Sequence, residues 1–142
     1  MAKQCPCSGG TLDKLVHPAI LIVLSRGSLH GYEIATLLAK MPMFRGQRPD
    51  TTGVYRCLRR MERRGYVVSA WTRSETGPSK RVFTASAEGR HCLSRWVRTL
   101  AEYRKTIGLL LMEARSAVAH DRHSEKKRVG GKAGPPSRRK AR

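Results

Sequence analysis

From Leu93 to Ala117 the apolar residues Leu93, Trp96, Leu100, Tyr103, Ile107, Leu110, Ala114 and Ala117 follow one another at alternating spacings of 3 and 4. An unbroken alternation of that kind is the heptad seam of a long amphipathic helix. Gly108 weakens such a helix locally, by about 1 kcal/mol relative to Ala, without interrupting the pattern. Ser86 is a suitable cap for its start, so the helix is predicted over 86–119. One small domain has too little surface to cover so long a stripe. The seam therefore predicts a homodimer joined through residues 86–119.

Residues 15–85 alternate helical and extended signals. A first helix opens near Pro18, whose missing N–H would have no partner in an opening turn. Its segment Ala19 to Leu24 is apolar all round, so more than one face must be covered. A second helix fits Gly31 to Met41, with Ile34, Leu37, Leu38 and Met41 on one buried face, and Pro42 stops it. A third starts after Asp50-Thr51-Thr52, any of which can cap it, and ends at Gly65. At 3.6 residues per turn, Val54, Cys57, Leu58 and Met61 fall on one side, and Arg56, Arg59, Arg60 and Arg63 on the opposite side with Tyr55 at the margin. Solubilising faces normally mix signs, whereas this one carries Glu62 alone, off to the side. Such a guanidinium strip points to nucleic acid. Two extended segments follow, Tyr66 to Thr72 and Arg81 to Ala85, joined by a loop with a Gly77-Pro78 turn signal and flanked by Arg73, Lys80 and Arg81. Two helices, a basic helix and a basic hairpin describe a winged helix-turn-helix. The expected fold is mainly α with a small β-hairpin, a winged helix-turn-helix over 15–85 plus the long C-terminal helix.

Charge agrees with that reading. The 142 residues hold 29 Lys and Arg against 10 Asp and Glu, a net +19, with a pI near 11.1. Residues 120–142 contribute +7 and residues 1–119 contribute +12, so the folded part is basic in its own right. From His120 the chain has Val129 as its one large aliphatic residue and no aromatic, and it is expected to be a disordered basic tail. Residues 1–14 form a polar arm. The longest apolar run is far short of the roughly 20 residues that cross a bilayer, and Cys-Pro-Cys stands where a secretory leader would have an apolar block. A cytoplasmic protein without membrane contact is expected. No G-x-x-x-x-G-K, nucleophile elbow or carboxylate pair with general-acid spacing occurs. An enzyme is not expected.

Three stretches make the reading more specific: AILIVLSRGSLHGYEIATLL at 19–38, TTGVYRCLRRMERRGYVVSAW at 51–71 and GPSKRVFTASAEGRHCL at 77–93. Together they resemble the PadR family of transcriptional regulators, in its shorter form. The resemblance implies a winged-helix dimer that binds a palindromic operator, usually as a repressor. It implies a recognition helix over Thr52 to Arg64, with Tyr55 at the family's DNA-contacting Tyr and Lys80 and Arg81 in its basic wing. It also sets Trp96 where some multidrug-responsive relatives stack planar ligands at the dimer interface, although heptad spacing favours a packing role first. Phe83 and Ala85 depart from the family's more usual Tyr and large apolar residue.

Within that frame the partners are double-stranded DNA, a second copy of the chain and a small planar ligand. Arg56, Arg59, Arg60 and Arg63 can meet phosphates, and one or two can pair bidentately with guanine. Thr51 and Thr52 can donate to phosphate beside the free N–H groups of the helix start. Cys5 and Cys7 admit several readings. Thiolates two apart can share a metal, and either two copies in a dimer or Cys92 and His17 would supply the remaining ligands of a closed four-ligand zinc site. Cys5-Pro6 also matches a haem-regulatory dipeptide, a weak motif alone, and a thiol switch or two idle thiols fit as well. The rival functional class is a non-specific nucleic-acid-binding or architectural protein driven by the basic tail.

Overall fold

The computed structural model describes residues 15–44, 46, 49–73, 77–131, 134 and 136. The elements run in the order α1 (Val16–Leu24), β1 (Leu29–His30), α2 (Gly31–Ala39), a 3-10 turn at Pro42–Phe44, α3 (Thr51–Arg63), β2 (Val67–Thr72), β3 (Lys80–Ala85) and α4 (Ala87–Gly130). The fold is mainly α with a small antiparallel sheet, a winged helix-turn-helix. The described residues fall into two units, one ending at Arg98 and the other beginning at Thr99.

In the first unit α1 is the hub. Pro18 sits in its opening turn, where no intrahelical bond is lost, and Ala19, Ile20, Leu21, Val23 and Leu24 are buried. Around it pack Ile34 and Leu38 of α2, Val54, Leu58 and Met61 of α3, Val67 of β2 and Phe83 and Ala85 of β3. Leu37, Met41 and Cys57 lie half-buried against this core. Phe83 is among the largest fully buried side chains and Ala85 is buried as well, so both departures from the family pattern are core positions.

Of the three candidate caps for α3, Asp50 is the one that acts. Its carboxylate accepts from the N–H of Thr52 at 3.3 Å and of Gly53 at 3.2 Å. The far end is a Schellman closure: Gly65 at φ 79° lets Tyr66 N–H donate to the Met61 carbonyl at 2.9 Å and Gly65 N–H to that of Glu62 at 3.0 Å. That turn sends the chain straight into β2, which pairs with β3 from Val67↔Ala85 to Thr72↔Lys80. The hairpin has a third strand that the sequence pattern does not reveal. Leu29 and His30 pair with Phe83 and Val82, giving the order β1-β3-β2. Two residues are too few for a period-2 signal.

Ser86 caps α4, its hydroxyl accepting from Gly89 N–H at 3.0 Å and donating to the Gly65 carbonyl at 2.5 Å. Cys92 is buried, and Leu93 and Trp96 pack half-buried on the core.

The second unit corrects the sequence reading. The helix does not end at 119 but continues to Gly130, so residues 120–130 are helical rather than a disordered tail. Low apolar content argues against an independently folded segment, but adding turns to an already nucleated helix needs no core. Glu, Lys and Arg are good helix formers, and Lys127 and Arg128 in the last turn complement the negative end of the helix dipole. The Gly130-Gly131 pair then stops it.

Candidate nucleic-acid interface

The cap at Asp50 and the core contacts of Val54, Leu58 and Met61 fix the rotation of α3 about its axis. The opposite face therefore carries Thr51, Thr52, Arg56, Arg59 and Arg63 outward, and these and Arg60 are all exposed. Five of the predicted contacts share one shallow depression of about 450 Å³ with Tyr55: Thr51, Thr52, Arg56, Arg59 and Arg63. Arg60 stands apart. It lines a different cavity, of about 680 Å³, on the flank of α3 nearest α1, with Arg56, Arg64, His17, Cys57 and Phe44.

Tyr55 has two roles built into one position. Its ring meets Phe83 edge-on, with centroids 6.4 Å apart, and lies over the start of α2, where any Cβ at Gly31 would collide with it. It keeps 37% of its surface exposed at the edge of the arginine face. Packing anchors the ring and leaves part of it accessible.

The two predicted wing cations differ in what they are free to do. Lys80 is exposed at the start of β3. Arg81 is held: Nη2 donates to Glu62 Oε2 at 2.7 Å, Nε donates to Ser69 Oγ at 2.9 Å, and the Ser69 hydroxyl donates to Glu62 Oε1 at 2.5 Å. The guanidinium also lies 5.4 Å from the centroid of Phe83. This closed cycle ties α3, β2 and β3 together and sets the angle between the basic helix and the wing. Sequence reasoning placed Glu62 off to the side. Its isolation among arginines was the available signal that it serves a particular partner. Glu62→Ala is expected to lower unfolding stability by about 1–2 kcal/mol, since it leaves a half-buried guanidinium without its carboxylate. Urea unfolding monitored by circular dichroism measures this.

Trp96 is tied into its own domain. Its indole N–H donates to His17 Nδ1 at 3.1 Å, and His17 in turn meets Tyr66 edge-on at 5.9 Å. Burial, aided by the Arg64 charge, holds the His17 pKa below its ordinary value. The neutral ring is thus the folded form, and only neutral Nδ1 can accept from Trp96. For a base with a depressed folded pKa, the unfolded chain takes up the proton first. This contribution to stability is complete above the unfolded value of about 6.5 and is lost as pH falls toward the folded one. Melting temperature is expected to drop between about pH 7 and pH 5, and His17→Gln, which keeps an acceptor but does not titrate, should flatten that part of the profile.

Burial raises the Cys57 thiol pKa against the weaker opposing pull of Arg60, and its Sγ lies 3.8 Å from Met61 Sδ. It is a packing residue rather than a reactive thiolate. Cys5 and Cys7, the predicted thiolate pair, lie outside the described residues. Among the described residues no three His, Cys, Asp or Glu side chains are grouped as metal ligands. Among them, too, no helix is long and apolar enough to cross a membrane.

A family model for the transcriptional regulator PadR-like family matches residues 20–95, which span α1 to the first turns of α4. The chain belongs to the PadR-like family. Solved PadR-type structures agree. A transcriptional regulator from Thermoplasma acidophilum is 30% identical, with a TM-score of 0.60 over 70% of this chain and 93% of its own. A PadR-like regulator from Bacillus cereus is 23% identical, with a TM-score of 0.58 over 70% and 94%. PadR of Bacillus subtilis, solved in complex with operator DNA, is 17% identical, with a TM-score of 0.53 over 87% and 82%. No curated protein sequence matches this chain. Members of the PadR-like family are transcriptional regulators and not enzymes.

Proposed function

We propose that this PadR-like regulator is a homodimeric, sequence-specific DNA-binding repressor acting in the cytoplasm on a palindromic operator. The observation that carries the reading is the arginine face of α3, where Arg56, Arg59 and Arg63 surround Thr51, Thr52 and Tyr55 and the core holds that face outward. A helix so mounted can enter the major groove with its arginines reaching phosphates or guanine edges. The operator complex of the Bacillus subtilis relative supports DNA as the partner.

The second copy would be joined through α4. Tyr103, Ile107 and Leu110 of the seam are 47%, 62% and 65% exposed in the single chain, a stripe that a partner helix would cover. Two recognition helices related by a two-fold axis then address half-sites about one DNA turn apart. Relief of repression would come from a small planar ligand reaching Trp96, or from redox or metal chemistry at Cys5 and Cys7. Either effector acts only through different affinities for the two dimer arrangements.

The test is selection of genomic DNA by the purified protein at about 150 mM salt, where weak phosphate binding is suppressed. An enriched palindrome with half-sites one turn apart is the expected result. A chain truncated after Ala119 should keep that preference. Tight binding with no enriched sequence, or affinity that vanishes on truncation, would overturn the reading in favour of a non-specific architectural protein.

A further inference from the structure

We infer that Trp71, together with Lys80, is the wing's DNA contact, and that Arg81 is not. The inference deepens the DNA-binding reading and rests on it. Along β2, Val67 is buried and Ser69 half-buried, so the alternation places Trp71 on the same inward face of the sheet, the face that carries Glu62's partner Arg81 opposite it in register. Beyond Ser69 the domain no longer covers that face. Trp71 is 68% exposed, an unusual cost for a Trp unless something else covers it.

What covers it is indicated by its neighbours. Trp71 lines a cleft of about 620 Å³ with Arg59, Lys80, Tyr55 and Tyr32, and the ion-paired Arg81 and Glu33, whose carboxylate faces His30 at 3.8 Å, line it as well. Arg59 and Tyr55 also line the depression along α3. The cleft is therefore continuous with the proposed interface, and two of its three cations, Arg59 and Lys80, have no ion pair among the described residues and flank an exposed aromatic face. That chemistry fits one deoxyribose-phosphate unit of the duplex at the edge of the groove occupied by α3. The sugar lies on the indole, and the phosphate sits between Lys80 and Arg59. Arg81 lines the cleft too, but its Nε and Nη2 are already engaged by Ser69 and the Glu62 carboxylate, which neutralises its charge and leaves Lys80 as the wing cation open to a phosphate.

The chain has two Trp residues, so 5-fluorotryptophan labelling of the full protein yields two fluorine resonances. The resonance lost in Trp71→Phe belongs to Trp71. The probe is a 30-base-pair duplex recovered by the protein from a random pool, with binding followed by anisotropy. The Trp71 resonance is expected to shift on duplex binding. Trp71→Ala should weaken binding about tenfold, and Trp71→Phe, which keeps an aromatic face, should restore most of it. A resonance that does not move, or equal affinity for Trp71→Ala, overturns the inference while leaving DNA binding intact. If no duplex is recovered or bound by the unaltered protein, the DNA-binding reading itself falls.

Discussion

Arg59→Ala combined with Arg63→Ala is expected to weaken operator binding at least about a hundredfold, with the melting temperature unchanged. Each good bidentate pair with a base is worth about 1–3 kcal/mol, and a phosphate contact contributes through counterion release. Both side chains are exposed on the face of α3 opposite Val54, Leu58 and Met61, so the core does not feel their removal. The measurement that separates their roles is affinity against salt concentration. Loss of two phosphate contacts lowers the slope of log K on log salt by about two. Loss of base contacts leaves the slope and relaxes the selected sequence instead. Unchanged affinity in the double variant would remove α3 from the interface.

Ile107→Glu with Leu110→Glu is expected to turn the proposed dimer into monomers at micromolar concentration. Both residues are well exposed in the single chain, so the substitution costs the isolated helix little, whereas a buried pair of like charges facing its own copy cannot be accommodated. Sedimentation velocity reads the mass directly. Operator affinity should fall with it, by about 10²–10⁴, because two half-sites are no longer bound through one linked particle. A variant that stays dimeric would move the dimer interface away from the seam.

Both expectations draw on features that exist as soon as a helix forms. The arginine face needs only a helix, and its register is legible because Val54, Leu58 and Met61 repeat at helical spacing within one stretch. The seam from Leu93 to Ala117 is legible for the same reason. Even the closing turn at Gly65 could be read locally. What the residues did not reveal was which of the polar groups around that helix were already engaged. Arg81 and Glu62 are 19 residues apart, and Trp96 and His17 are 79 apart. A charge reading puts Arg81 beside Lys80 as an equal member of a basic wing; the structure holds Arg81 in an ion pair and leaves Lys80 exposed, with no ion pair among the described residues. Trp71, which sequence reasoning passed over, acquires its setting from the end of β2 outrunning the core.

The sequence by itself therefore determined the winged-helix class, the outward arginine face, the wing and the long seam, because each follows from a periodicity or a turn residue acting over a few neighbours. The tertiary structure alone decided that β1 joins the sheet, that Glu62 fastens the wing to α3, that Arg60 lies on the flank away from the shared depression, and that residues 120–130 extend a helix rather than trail from it. The physical reason is that side-chain type states what a group can bind, while its partner is chosen by proximity. Proximity between distant residues is set only when the core around α1 closes.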